Sequence, residues 1–219
     1  MPISSGRLAV LIHGFTRGAV DMQFWKSCLA SDFTDILTPD LPTTYGSFED
    51  CVATLDRFLA DAGIDRYREV FIAGHSMGGL IAREYLKRRK PGNVRYLVCA
   101  GTPHFGSRLA DIALLLPGAG LIWQPLHALK CSARKQLTTP DIPGLKIGVI
   151  VSKNNGHWPG KLFLSRDSDG LVESFSADAP DASDSIQTRA AHIKMQFDAE
   201  TAGMIRDFFI NGSFSKETD

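Results

Sequence analysis

Val70-Phe71-Ile72-Ala73-Gly74-His75-Ser76-Met77-Gly78-Gly79-Leu80-Ile81-Ala82-Arg83-Glu84-Tyr85-Leu86-Lys87 is the stretch whose reading decides the fold. Its first four residues form a short apolar run stopped by glycine, the pattern of a buried strand. From Gly79 onward the residues read as a helix, and the turn between the two is G-x-S-x-G. In so sharp a turn the residues two before and two after the serine nearly touch. Glycine at 74 and 78 removes the Cβ clash and tolerates strained dihedrals. The turn lifts the Ser76 hydroxyl to the top of a sheet, where a histidine can reach it. G-x-S-x-G alone occurs by chance in many chains. Between a strand and a helix it is the signature of a nucleophilic serine.

Outward from this turn, strands and helices alternate. Residues 8–12 read as a buried strand ending at His13-Gly14-Phe15, and a helical pattern runs from about 21 to 30. Residues 35–38 make a second strand, closed by Pro39-Asp40-Leu41-Pro42. Ser47-Phe48-Glu49-Asp50 opens a helix as a capping-box variant, Val52, Leu55, Phe58 and Leu59 keep its period, and Gly63 ends it. Residues 94–100 and 146–151 are further strands, and 185–189 a last, half-buried one. Residues 199–210 form a closing amphipathic helix capped by Asp198. This alternation predicts a parallel sheet wrapped on both faces, with no internal repeat and no low-complexity tract.

The 219 residues suit one α/β domain spanning 1–219, with little room for a second. Apolar residues are 44% and charged ones 22%, the usage of a soluble globular protein. Formal net charge is zero, so no basic surplus exists to displace phosphate counterions, and nucleic acid is excluded as a partner. Lys87-Arg88-Arg89-Lys90 complements the carbonyl end of a helix, which Pro91-Gly92 then stops. Cys28, Cys51, Cys99 and Cys131 lie far apart without a C-x-x-C pair, and are expected as buried free thiols. The apolar run before His13 is too short for a signal peptide or a membrane span, so a cytoplasmic protein is the default expectation.

A serine hydroxyl needs a base to remove its proton, and the base needs an orienting carboxylate. After such a turn the partners follow in the order Ser, then Asp or Glu, then His. His13, His75, His104 and His127 fall too early, and His157 precedes the favoured acid. His192, between the last strand and the last helix, remains. Asp169, in Ser168-Asp169-Gly170-Leu171-Val172, precedes it by 23 positions, room for a loop and a strand. Gly170 allows a tight turn after Asp169, which is preferred over its neighbour Asp167; Asp178, Asp181 and Asp184 read as turn or loop residues. The main-chain N–H groups of Met77 and Phe15 are the expected oxyanion donors. His13 and His75 have no carboxylate or cysteine spaced to complete a metal site, so no metal or cofactor is expected. Bracing of loops through ring hydrogen bonds is the simpler role for both, and His75 is also placed beside the substrate.

With these residues on the page, the chain resembles the α/β-hydrolase superfamily, in its small lipase/esterase (triacylglycerol lipase-like) branch. Leu11-Ile12-His13-Gly14-Phe15, Gly74-His75-Ser76-Met77-Gly78-Gly79, Gly101-Thr102-Pro103-His104-Phe105-Gly106-Ser107, Asp169-Gly170-Leu171-Val172 and His192 carry the likeness, in the family's order. The resemblance implies a minimal α/β-hydrolase fold, a mostly parallel sheet of about six strands flanked by helices, with a small helical cap. The first two strands of the full family sheet have no counterpart. It further implies a Ser76–His192–Asp169 triad that hydrolyses carboxylic esters through an acyl-enzyme.

The segment 107–136 is the expected cap. Residues 108–116 and 121–130 read as two short helices parted by Pro117-Gly118-Ala119-Gly120. Their apolar residues place Leu115, Leu121, Trp123 and Leu126, with His75, at the substrate. The cap is read either as a lid moving about its glycines or as a fixed helical layer. The expected partner is a small-molecule acyl ester, free or at a lipid surface, with a monomer as the default state. Two other readings stand beside ester hydrolysis. One keeps the triad for thioester or amide cleavage or acyl transfer; the other is a non-catalytic binding protein on a hydrolase fold.

Overall fold

The computed structural model of the chain describes residues 4–156 and 158–214, so His157 lies outside the described residues. Six strands make one parallel sheet: β1 (Ser4–Ile12), β2 (Asp35–Leu37), β3 (Tyr67–His75), β4 (Val94–Ala100), β5 (Lys146–Ser152) and β6 (Asp184–Thr188). Their spatial order is β2-β1-β3-β4-β5-β6. Every neighbouring pair is parallel, so each connection crosses over a face. The helices are α1 (Gln23–Leu29), α2 (Phe48–Asp61), α3 (Met77–Arg89), α4 (Arg108–Ala113), α5 (Ala119–Ile122), α6 (Leu126–Leu129), α7 (Trp158–Phe163), α8 (Ser174–Ala177) and α9 (Ala199–Asn211).

Period-2 alternation divides the core between the two faces. On β1, Leu8, Val10 and Ile12 join one apolar cluster with Leu55 and Leu59 of α2 and Ile81 and Leu86 of α3. Ala9 and Leu11 point the other way, into a cluster with Trp25 of α1 and Phe208 and Phe209 of α9. A strand buried on both faces must read as a continuous apolar run, which is why residues 8–12 carry no polar position.

Local chemistry sets the helix ends. Ser47 Oγ accepts from Asp50 N (3.1 Å) while Asp50 Oδ2 accepts from Ser47 N (2.8 Å), closing the capping box of α2. Asp198 Oδ2 accepts from Thr201 N (2.7 Å) at the start of α9. The basic end of α3 is paired as well as capped: Arg88 bonds Glu84 and Glu49, Arg89 bonds Asp56, and Lys90 bonds Asp141.

The sequence pattern predicts two cap helices in 107–136, and the structure has three: α4, α5 and α6. Pro117-Gly118 does break the segment, but α5 already starts at Ala119 and stops at Ile122. Trp123, Gln124 and Pro125 then separate it from α6. Proline at 125 supplies no N–H, so a single helix through it would lose a hydrogen bond. Among the described residues no helix is long and apolar enough to cross a membrane.

Candidate active site

Ser76 joins the end of β3 to the start of α3 at φ 54° and ψ −126°, a left-handed strain rare for a residue with a Cβ. Its main-chain N–H donates to Ala100 O at the end of β4 (2.8 Å), fixing the turn to the neighbouring strand. A Cβ on Gly74 would collide with the backbone of Gly78 and Gly79, and one on Gly78 with the carbonyls of Ile12 and His13. Glycine therefore lets α3 start directly against β1.

Asp169 Oδ2 lies 2.6 Å from His192 Nδ1, and the two residues are 1% and 3% exposed. The other carboxylate oxygen, Oδ1, accepts from Leu171 N (2.9 Å) and Val172 N (2.7 Å). Gly170, at φ 97°, makes the tight turn that brings those two N–H groups round. The His192 main-chain N–H donates to Asp169 O (3.0 Å), so the two residues share two bonds. A carboxylate only accepts, so Nδ1 carries the proton and Nε2 keeps a free lone pair. Asp167 is exposed and lies 3.4 Å from Lys153.

Gly101, in the quoted motif but given no role from sequence, closes this arrangement. It follows β4 at φ 58°, and a Cβ there would sit 3.2 Å from His192 Nδ1 and 3.3 Å from Asp169 Oδ2. A glycine directly after a buried strand was the available signal.

Ser76 and His192 line one cavity of about 320 Å³. Among the described residues Ser76 Oγ and His192 share no hydrogen bond. Phe15, Leu109, Ala113, Leu126, Leu171 and Val172 make much of the wall apolar. Of the residues expected at the substrate, His75 and Leu126 line this cavity. Leu115, Leu121 and Trp123 do not. Leu115 and Leu121 are 80% and 84% exposed on the outer side of the cap, and Trp123 is also exposed. Leu109 and Ala113, which the sequence did not single out, take their places on the wall beside Leu129.

The N–H groups of Phe15 and Met77 have no protein acceptor among the described residues. The loop carrying Phe15 is held by His13, whose Nε2 accepts from Leu41 N (3.0 Å), leaving Nδ1–H to donate to Gly14 O (3.1 Å). Burial lowers the pKa of His13, so it stays neutral in this bracing role. His75 Nε2 lies 2.9 Å from His192 O. Burial, with the charge of His192 second, pushes the His75 pKa down to about 3. Among the described residues no three His, Cys, Asp or Glu side chains gather as a metal site requires. All four cysteines are free, and burial pushes the Cys51 thiol up to about 12, far from a thiolate nucleophile.

The family described as the alpha/beta hydrolase family matches residues 9–114, from β1 through α4. The chain has the α/β-hydrolase fold. Solved structures with the same fold include the mature form of Bacillus licheniformis lipase BlEst2, at TM-score 0.65 and 19% identity over 89% of each chain. The metagenomic carboxyl esterase MGS0156 aligns at TM-score 0.71 and 14% identity, over 96% of this chain and 75% of that one. A thermophilic esterase from Thermogutta terrifontis aligns at TM-score 0.59 and 14% identity, over 94% and 90% of the two chains. No curated protein sequence matches the chain. At these identities the likeness establishes the hydrolase fold, and the chemistry rests on the site itself.

Proposed function

We propose that the chain is a serine hydrolase of carboxylic esters, of lipase/esterase type, with Ser76 as nucleophile, His192 as base and Asp169 as its orienting acid. The observation that carries this is the buried 2.6 Å Asp169–His192 pair, whose His192 lines one cavity with a serine on a strained strand–helix turn. His192 Nε2 takes the Ser76 proton as Oγ attacks the ester carbonyl, and the imidazolium is stabilised by Asp169. The N–H groups of Phe15 and Met77 hold the tetrahedral oxyanion; being main-chain donors, they are already in place before charge develops. His192 then returns its proton to the leaving alcohol, and water releases the acid by the same steps.

The apolar wall supports an acyl chain over a charged substrate. Leu115, Leu116, Leu121 and Ile122, exposed on the cap, are the face it would offer to a lipid surface. Hydrolysis of p-nitrophenyl esters from acetyl to palmitoyl tests the reading. Turnover by the native chain and none by Ser76→Ala is the expected result. A folded protein inactive on the whole series, or an undiminished Ser76→Ala, would overturn it.

A further inference from the structure

The His75 ring is 2% exposed and stands 5.0 Å, centroid to centroid, from the ring of His192. A carbonyl oxygen only accepts, so the 2.9 Å contact to His192 O places the His75 proton on Nε2. Nδ1 is then a bare acceptor, and no donor among the described residues reaches it. An unpaired buried acceptor is unfavourable, and an apolar residue would avoid it. The gain that stands against this penalty is the single bond to the residue carrying the base.

That bond has a companion. Trp25, fully buried on α1, meets the His75 ring edge-on with centroids 6.3 Å apart. Trp25 Nε1 donates to Met195 O (3.0 Å), and Met195 belongs to the same 3-10 turn, His192–Phe197, that begins with the base. Two buried rings thus hold two carbonyls of one turn. One of those rings sits beside the nucleophile in sequence, so a single bond spans the 117 positions between elbow and base.

We propose that His75 is a positioning residue: its Nε2–H holds the His192 carbonyl and, with Trp25, fixes the turn so that the His192 ring faces Asp169 with one nitrogen and Ser76 with the other. This role presupposes the Ser76–His192–Asp169 mechanism proposed above. His192 becomes a cation in each cycle, whereas His75 must stay a neutral donor throughout. The ionisable groups acting on His75 are His192, Arg17 and His13, each disfavouring a second charge as burial does. The base is therefore gripped by a ring that does not compete for its proton.

Three variants on p-nitrophenyl butyrate test this. His75→Leu removes the donor at similar volume and should lower kcat about 10- to 100-fold, with KM within about twofold, because misplacing a catalytic group slows chemistry before binding. His75→Gln restores an N–H near the Nε2 position and should return kcat to within about threefold of the native value. His75→Asn, one methylene shorter, cannot reach the carbonyl and should resemble His75→Leu. Because a neutral group is exchanged for a neutral group, the acid limb of the kcat/KM profile should stay in place. His75→Leu within twofold of native kcat, His75→Gln as slow as His75→Asn, or a displaced acid limb would each overturn the role. If His75→Leu does not fold, the Gln and Asn pair decides. Ser76→Ala is run alongside. Native-level activity in Ser76→Ala removes the mechanism itself, whereas an inactive Ser76→Ala beside an unimpaired His75→Leu removes only the positioning role.

Discussion

Acidification should unfold this protein earlier than its carboxylates alone require, because His75 and His104 are buried uncharged. His104 is 1% exposed, neither of its ring nitrogens has a partner among the described residues, and burial first, then the charges of Arg83 and Arg134, hold its pKa well below the ordinary histidine value. His75 is held down to about 3. Both folded-state values lie below the unfolded value near 6.5, so the unfolded chain binds more protons at mildly acidic pH. Stability is then complete above about pH 6.5 and falls as pH drops, at about 1.4 kcal/mol per pH unit for each histidine. At pH 5 this amounts to about 2 kcal/mol for His75, and His104 adds to it in the same direction. That is a large share of the 5–15 kcal/mol typical of whole domains. Urea unfolding at pH 7.5 and pH 5.0, extrapolated to water, measures it. His104→Leu, which abandons no hydrogen bond, should show a smaller difference than the native chain. Equal native stability at the two pH values, or a difference unchanged in His104→Leu, would refute the reasoning.

Other consequences follow from the same geometry. Asp169→Asn should lower kcat about 10³- to 10⁴-fold in steady-state ester hydrolysis, through loss of the Nδ1–H tautomer and the imidazolium partner, while Asp167→Asn stays at the native rate. Gly78→Ala forces a Cβ against the Ile12 and His13 carbonyls, and should cost about 2–3 kcal/mol of stability, or about 5–10 °C in Tm by calorimetry. Ala113→Phe should fill part of the cavity and shift the preferred p-nitrophenyl ester to shorter acyl chains. Leu115→Ser with Leu121→Ser, both outside the cavity, should leave butyrate hydrolysis within twofold of native.

The parts of the fold legible in the sequence were those where one local rule suffices. Residues 8–12 are apolar throughout because β1 is covered on both faces, and Ser47 with Asp50 marks a helix start by reciprocal bonding. The elbow was legible because glycine alone fits between crossing backbones. The cap was less so: α4, α5 and α6 have six, four and four residues, too few to establish a helical period. Which side of those turns faces the cavity depends on tertiary packing, so Leu115 and Leu121 read as well for the wall as Leu109 and Leu129 do. Distant polar pairs were also out of reach. Arg83, on a helix that otherwise buries apolar residues, is fully buried and bonds Asp181 through two nitrogens (2.8 and 3.0 Å), 98 positions away. Nothing near either residue announces the other, and Asp181 reads as an ordinary loop aspartate.

The most direct test of the central claim is covalent. The native chain is treated with a fluorophosphonate, the modified peptide is located by mass spectrometry, and Ser76→Ala and His192→Ala are treated alongside. The account predicts one adduct, on Ser76, absent from Ser76→Ala and formed far more slowly in His192→Ala. A folded native chain that takes up no label, or an adduct that persists in Ser76→Ala, would contradict it.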